Sequence, residues 1–213
     1  MRNERYKDLM PADKMIETSV SVIGVGAIGR QVALQIAAMG ILHVQLVDDD
    51  IVEEANLGTQ AYLDADLGRS KVEATAALLR QLNPAIQVEA RVERFAKSQP
   101  VRHVVFCCVD SITTRRHIFE AVHRRCGLFI DGRMAAEVLR VLTVSDAVGA
   151  AQYRQSLFSA SEAHRDGCTA RSTIYCANVA AGFMVGQLAK WLRGLPTEED
   201  VSLNLLGMEL AVS

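Results

Sequence analysis

The sequence feature that most constrains the fold is a glycine pattern, GxGxxG, formed by Gly24, Gly26 and Gly29. It follows directly on the β-branched run 19–23 and precedes RQVALQIAAMG, a segment with the composition of a helix. Here the first glycine permits a tight turn, the second lets the backbone approach a phosphate, and the third lets helix and strand pack closely. The helix N-terminus adds amide groups and a positive dipole end. The pattern therefore predicts a nucleotide-binding unit, with a tight turn that binds no ligand as the alternative.

Strand-like and helix-like segments alternate along the chain, which predicts βαβ units. The predicted strands are 19–23, 43–47, 86–91, 103–109, 128–130 and 138–144, and the predicted helices follow the glycine turn as far as Gly40 and cover 68–82, 111–125 and 172–193. The continuous apolar run HVVFCCV is typical of a strand buried on both faces. We expect an α/β fold, a doubly wound, mostly parallel Rossmann-like sheet with flanking helices and a C-terminal strand over 201–212.

Three segments show no clear hydrophobic period. Residues 52–66 are polar and irregular, residues 147–171 are expected to form a long crossing loop, and residues 1–17 are expected to form an N-terminal arm. Loops as long as 147–171 are usually functional or mobile. The chain has 213 residues, enough for one large domain, so we predict a single domain over 1–213.

Composition excludes several classes of protein. The 23 basic and 25 acidic residues give a formal net charge of −2, which argues against a nucleic-acid binder, and a hydrophobic content of 50% excludes disorder. The charged first residues contain no apolar signal core, and the weakly charged run 172–189 includes Asn178 and Gln187, so a buried helix is favoured over a membrane span. Five cysteines without a CxxC pair argue against a disulfide framework and a zinc site. We therefore expect a cytoplasmic protein that binds neither membrane nor nucleic acid.

Asp48 ends the second predicted strand, 19 positions after Gly29. A carboxylate at this place can accept hydrogen bonds from ribose hydroxyls, and the alternative is a solvated loop acid. Together, Asp48 and the glycine pattern are compatible with either an NAD site or an ATP site.

Four polar residues further along separate these two possibilities: Asn56, Gln60, Lys71 and Asp110. Lys71 lies in the first turn of a predicted helix, where the dipole disfavours a cation unless it faces an anion. Asp110 directly follows the buried run, at the carboxyl edge where open α/β sheets bind ligands. Facing a triphosphate it would ligate Mg²⁺, and its alternative role is to cap the helix that begins near Ser111. Asn56, Gln60 and Lys71 could each also be ordinary surface residues.

Taken in order, these segments resemble the ThiF/MoeB/HesA-type adenylating family, which includes the ubiquitin-activating enzymes. GVGAIG is similar to the family's phosphate loop, VDDDIVEEANLGTQ to its ribose-binding strand and following Asn…Gln segment, LGRSKVEATAALLRQLNP to its lysine-bearing helix, and CCVDSITTR to its Asp…Arg segment. Arg5 and Tyr6 resemble its N-terminal start. The resemblance covers roughly residues 5–145 and is more specific than the glycine pattern alone.

The resemblance implies an ATP-dependent adenylyltransferase that uses Mg²⁺. The C-terminal carboxylate of a ubiquitin-like carrier protein or peptide would attack the α-phosphorus, giving an acyl-adenylate and pyrophosphate. By position, the resemblance implies Asn56 and Lys71 at the phosphates, Asp50 and Gln60 nearby, Asp48 at the ribose and Asp110 at the metal. A homodimer is also implied, and the small residues of the last predicted helix support it. The zinc-binding cysteine pairs frequent in the family are absent, so no zinc is expected.

Two positions depart from the family pattern, because Thr59 and Asp8 stand where the family commonly has arginine. Cations that could replace them are Arg5, Lys7, Arg30 and Arg69. Losing one such cation should lower the rate on the order of 10²–10³-fold, so weakened activity is expected if nothing compensates. A catalytically degenerate nucleotide-binding scaffold is therefore a second hypothesis. An NAD-dependent oxidoreductase is a third, in which the four polar residues beyond the ribose acid would have no role.

Cys168 lies in DGCTARS, just before the last predicted helix. Thioester-forming relatives carry a nucleophilic cysteine in a loop of this region, which makes Cys168 a fourth candidate catalytic residue beside Asp110, Lys71 and Asn56. Two nearby arginines could favour its thiolate. The alternative is an ordinary half-buried thiol.

Overall fold

The computed structural model of the chain describes residues 9–157 and 173–213. Its centre is one eight-stranded sheet with the strand order β3-β2-β1-β4-β5-β6-β7-β8. The strands are β1 Ser19–Ile23, β2 His43–Asp48, β3 Gln87–Val92, β4 Val104–Cys107, β5 Leu128–Ala135, β6 Val138–Val144, β7 Asp200–Asn204 and β8 Glu209–Val212. Pairing is parallel from β3 through β5 and antiparallel from β5 through β8. The mostly parallel α/β sheet predicted from the sequence is confirmed.

Helices cover both faces of this sheet. They are α1 Ala12–Glu17, α2 Ala27–Met39, α3 Glu54–Gln60, α4 Lys71–Leu82, α5 Ile112–Val122, α6 Ala147–Gln155 and α7 Ile174–Leu192. Along β4, Val104 and Phe106 pack with α2, α4 and α7, whereas Val105 and Cys107 pack with α5 and α6. Because successive side chains of a strand point to opposite faces, a strand covered on both sides must be apolar throughout.

Several helix ends follow the sequence signals. Gly40 ends α2 with φ of 106°, the left-handed conformation that favours glycine at a helix C-terminus. The Ser70 hydroxyl caps α4 by accepting from the Glu73 amide at 3.2 Å. The predicted buried helix over 172–193 is α7, which packs against α2 and β5. Among the described helices, none combines the length and the hydropathy that a membrane crossing requires.

The prediction that residues 52–66 are irregular is wrong, because this segment contains α3 and a short 3-10 helix at Asp64–Asp66. No residue of α3 is buried, so no apolar period marks this helix in the sequence. A capping box holds its start: the Glu53 side chain accepts from the Asn56 amide, and the Asn56 Oδ1 atom accepts from the Glu53 amide at 2.9 Å.

The crossing loop predicted over 147–171 begins instead as helix α6. Its cap is Asp146, whose Oδ1 atom accepts from the Gly149 amide at 2.9 Å. Only Gly149, Ala150 and Tyr153 of its nine residues are buried, which leaves too weak a period to detect. Residues 158–171 of that prediction, like residues 1–8 of the predicted N-terminal arm, lie outside the described residues.

Two strand predictions also need correction. The C-terminal segment 201–212 is a hairpin of β7 and β8 rather than one strand, turning where Met208 has φ of 53°. The short strand predicted over 128–130 extends to Ala135 as β5. Its second half contains Asp131 and Arg133, whose charges interrupt the apolar run by which a buried strand is recognised.

Close packing explains two glycines of the GxGxxG pattern. Gly24 has φ of +87°, and a Cβ atom added to it would lie 2.8 Å from the Cys108 carbonyl carbon. A Cβ atom at Gly29 would lie 1.9 Å from the Gly24 carbonyl oxygen. The turn between β1 and α2 therefore leaves no room for a side chain at either position.

We expect Gly29→Ala to destabilise the protein by about 1–3 kcal/mol, because the new methyl group must displace the backbone of the glycine turn. Gly182→Ala is the matched control, since Gly182 is also helical and a Cβ atom there would meet nothing within 4 Å. It should stabilise the protein by about 0.5–1 kcal/mol through helix propensity. Urea unfolding of both variants checks this, and equal stabilities would contradict it.

Candidate nucleotide-binding site

Asp48 lies at the carboxyl end of β2 and binds the glycine turn. Its Oδ2 atom accepts from the Val25 amide at 2.6 Å, and its Oδ1 atom accepts from the Asp50 amide at 2.8 Å. Burial raises the pKa of Asp48 above its ordinary value, although both amides and nearby Lys71 act in the opposite direction. Each carboxylate oxygen keeps a lone pair with which to accept a further hydrogen bond.

Lys71 begins α4 and is buried, with 7% of its surface exposed. Its Nζ atom donates to Asp50 Oδ2 at 2.8 Å, and its amide donates to the Asp50 carbonyl at 3.0 Å. The side chain of Asp50 is itself 64% exposed. Because an ammonium group has three protons, this ion pair leaves Lys71 able to bind a second anion at the same place.

The N-terminus of α2 presents backbone amides without a side-chain cap. Gly26 is its N-cap residue, and no side chain accepts a hydrogen bond there. A Cβ atom at Gly26 would meet, within 4 Å, only the Gln60 Oε1 atom at 3.8 Å, apart from its chain neighbours. Such a helix end, with open space at the second glycine, suits a phosphate group.

Gln60, at the end of α3, extends its side chain to this open position. Its Oε1 atom is buried and has no hydrogen-bond partner among the described residues. A half-turn of the amide would exchange oxygen and nitrogen and present N–H donors instead. Asn56 lies at the other end of α3, where its Oδ1 atom serves the capping box, so only its amide nitrogen could reach a ligand.

Asp110 lies in the turn between β4 and α5 and is exposed. Within residues 9–157 and 173–213 its carboxylate forms no hydrogen bond or ion pair. The helix-capping alternative for Asp110 is wrong, because Ser111 caps α5 by accepting from the Thr114 amide at 3.3 Å. The turn lies beside the glycine turn, since the Cys108 amide donates to the Ile23 carbonyl at 2.8 Å.

Two of the cations expected as replacements are engaged elsewhere. Arg30 is fully buried, donates to the Thr75 hydroxyl at 2.9 Å and lies 3.9 Å above the Tyr62 ring. Arg69 pairs with Asp66 at 2.8 Å. These contacts therefore do not favour Arg30 or Arg69 as a replacement for the missing arginines. The other two, Arg5 and Lys7, lie outside the described residues, as does Asp8.

A second set of charged and polar residues lies behind the Asp110 turn, and the sequence marked only one of them, Arg115, the arginine of the Asp…Arg segment. It consists of Arg115 on α5, Asp131 and Arg133 on β5, and Tyr153 on α6. Asp131 is completely buried and accepts from all three of the others. An acid directly after the apolar run LFI was the available signal, because it places a carboxylate inside a buried strand.

The glycine turn, the uncapped helix and the strand-end acid together form an arrangement typical of Rossmann-like folds. A sequence model of the ThiF family matches residues 7–211. The chain belongs to the ThiF family.

Two relatives match part of this chain at more than 30% identity. The SAMP-activating enzyme E1 of Haloferax volcanii is 38% identical over 86 residues, which are 40% of this chain and 32% of the relative. The sulfur carrier protein ThiS adenylyltransferase of Escherichia coli is 35% identical over 111 residues, 49% of this chain and 44% of the relative. The chain thus spans less than half the length of these relatives.

Solved structures share the fold. The crystal structure of E. coli MccB with AMPCPP and MccA superposes with a TM-score of 0.76 at 16% identity, over 95% of this chain and 65% of that one. The PaaA structure gives a TM-score of 0.77 at 19% identity, with the same coverage of 95% and 65%. At such identities the agreement concerns the fold alone.

The four cysteines of the described residues are expected to be poor nucleophiles. Burial raises the pKa of Cys107, Cys108 and Cys176, and that of Cys126 to about 11, so these thiols stay protonated near pH 8. We expect the four to react slowly with Ellman's reagent in the folded protein. Cys168 lies outside the described residues. If it is the reactive thiol, the wild-type protein will show a fast phase in its reaction with Ellman's reagent, and Cys168→Ser will remove that phase. A fast phase that persists in this variant would contradict the prediction.

Proposed function

We propose that the chain binds ATP with Mg²⁺ and adenylates the C-terminal carboxylate of a ubiquitin-like carrier protein or peptide. The observation that carries the proposal is the uncapped N-terminus of α2, where an open Gly26 lies beside the buried amide oxygen of Gln60. The named relatives, an activating enzyme and an adenylyltransferase, favour ATP over NAD. A homodimer, a cytoplasmic location and a catalytic role for Cys168 remain predictions.

Residues of the chain supply binding and orientation. Amides at the start of α2 would hold the phosphates, and the Lys71 ammonium, held at the start of α4 by Asp50, would neutralise part of their charge. Asp48 would accept from the ribose hydroxyls with its remaining lone pairs. Asn56 and Gln60 would donate through their amide nitrogens from the two ends of α3. Adenylation requires mainly such positioning and charge stabilisation.

Asp110 suits a role as a Mg²⁺ ligand, because its exposed carboxylate has no partner among the described residues. Mg²⁺ typically takes one or two carboxylates and completes its shell with phosphate oxygens and water, so one acid at this edge is sufficient. When bound, the ion would stabilise charge on the phosphates. An oxygen of the substrate carboxylate then forms a bond to the α-phosphorus, the bond from that phosphorus to the bridging oxygen breaks, and pyrophosphate leaves.

We expect exchange of pyrophosphate into ATP, dependent on the cognate carrier, to fall by on the order of 10²–10³ in Asp110→Asn and in Lys71→Met. The first variant removes the metal-binding charge and the second removes the ammonium while keeping the side-chain stem. Asp13→Asn, an exposed acid in α1, is the matched control and should leave the rate unchanged. Full exchange in both site variants would disprove the assignment.

Thr59→Arg tests the missing cation. Thr59 is half-buried in α3, one residue before Gln60, and its hydroxyl donates to the Ala55 carbonyl at 3.0 Å within its own helix. An arginine here should reach the phosphate position, and we expect it to raise the exchange rate. If the wild-type protein binds ATP in a calorimetric titration but neither it nor Thr59→Arg exchanges pyrophosphate, the scaffold hypothesis replaces the adenylyltransferase.

A further inference from the structure

One buried guanidinium connects β5 with the turn that carries Asp110. Arg115 is 5% exposed, and its Nη1 atom donates to Asp131 Oδ1 and, at 2.9 Å, to the Gly132 carbonyl. Its Nη2 atom donates to the carbonyl of Val109, the residue immediately before Asp110. The same planar group therefore fixes the turn after β4 relative to the middle of β5.

Asp131 orients this guanidinium from a fully buried position. Its Oδ2 atom accepts from Arg133 Nε at 2.7 Å and from the Tyr153 hydroxyl at 3.1 Å, which leaves Oδ1 for Arg115. Burial acts to lower the pKa of Arg115, but the charge of Asp131 and smaller contributions from other neighbouring groups together outweigh it, so the pKa is raised and the guanidinium stays charged. Four groups from α5, β5 and α6 thus set one geometry.

Stability alone does not account for such a network. Desolvating several charges is costly, and well-packed apolar side chains in their place are often equally stable. The gain from a satisfied buried network is a fixed geometry. Here the geometry that it fixes is that of the Val109 carbonyl, one peptide unit from Asp110.

We propose that Arg115, oriented by Asp131, is a positioning residue that holds the Asp110 carboxylate in the orientation needed to bind Mg²⁺. This inference rests on the proposed function, in which Asp110 is the metal ligand. Neither Arg115 nor Asp131 touches the metal, and they act through the Val109 carbonyl. Partners of this indirect kind typically change metal affinity by about 10–100-fold when replaced.

Arg115→Lys provides the test, because one ammonium group keeps the charge but cannot reproduce the fork that joins Asp131 and Gly132 to Val109. We expect the Mg²⁺ concentration for half-maximal ATP–pyrophosphate exchange to rise about tenfold or more. Asp131→Asn, a nearly isosteric change, should also raise this Mg²⁺ concentration, and it provides the test if Arg115→Lys does not fold. Ile118→Val, which trims a buried side chain on the same helix, is the control for general loss of stability.

A merely structural role would lower the maximal rate with the folded fraction and leave the Mg²⁺ dependence unchanged, as expected for Ile118→Val. That result in Arg115→Lys or Asp131→Asn would overturn the inference. Amide hydrogen exchange of the segment 108–112, measured without ligand, should accelerate in Arg115→Lys relative to Ile118→Val, and unchanged exchange would also overturn it. If the wild-type protein shows no ATP–pyrophosphate exchange while amide exchange of this segment is accelerated in Arg115→Lys, the proposed function is refuted and the role of Arg115 in fixing the turn is confirmed.

Discussion

The site depends on how β1 is held between β2 and β4. The Gly24 amide donates to the Val47 carbonyl at 2.9 Å, and the Cys108 amide donates to the Ile23 carbonyl at 2.8 Å, so the chain leaving β1 is paired on both sides up to the turn. A side chain at Gly24 would collide with the Cys108 backbone. Backbone packing therefore requires a glycine at position 24 whether or not a ligand binds. At Gly26, in contrast, there is open space, which among the described residues is bordered by the Gln60 side chain.

Local signals were sufficient for most of the fold. The helix predicted over 68–82 is α4, because a serine cap at Ser70 and a proline at Pro84 act within a few residues of the helix ends. The same reasoning missed α3 and α6, in which few or no side chains are buried and caps contribute instead of an apolar face. A helix stabilised mainly by its end contacts has no period that a sequence can display.

In the candidate site, too, residues marked by local sequence signals could be predicted, and residues brought together by tertiary structure could not. Asp48 and Lys71 could be predicted because each lies next to a strand end or helix start that the sequence itself marks. The contact between Arg115 and Asp131 depends on the pairing of β4 with β5, which sets Asp131 beside Cys107. That register is a property of the assembled sheet, so residues 16 positions apart gave no joint signal. The burial of Arg30 could likewise not be predicted from the sequence, because its contacts with Tyr62 and Thr75 form only in the folded chain.

Charge around the glycine turn determines how a nucleotide would bind under the proposed function. The acidic run 48–50 places three carboxylates within 4.8 Å of one another, and two of them are paired, with Lys71 at 2.8 Å and Arg94 at 2.7 Å. Asp48 is occupied by two backbone amides, and each like-charged contact at about 4 Å costs roughly 1–4 kcal/mol depending on exposure. A polyphosphate would therefore bind far better with a divalent cation than alone. Under the proposed function, Asp110, which has no partner within the described ranges, would share that cation.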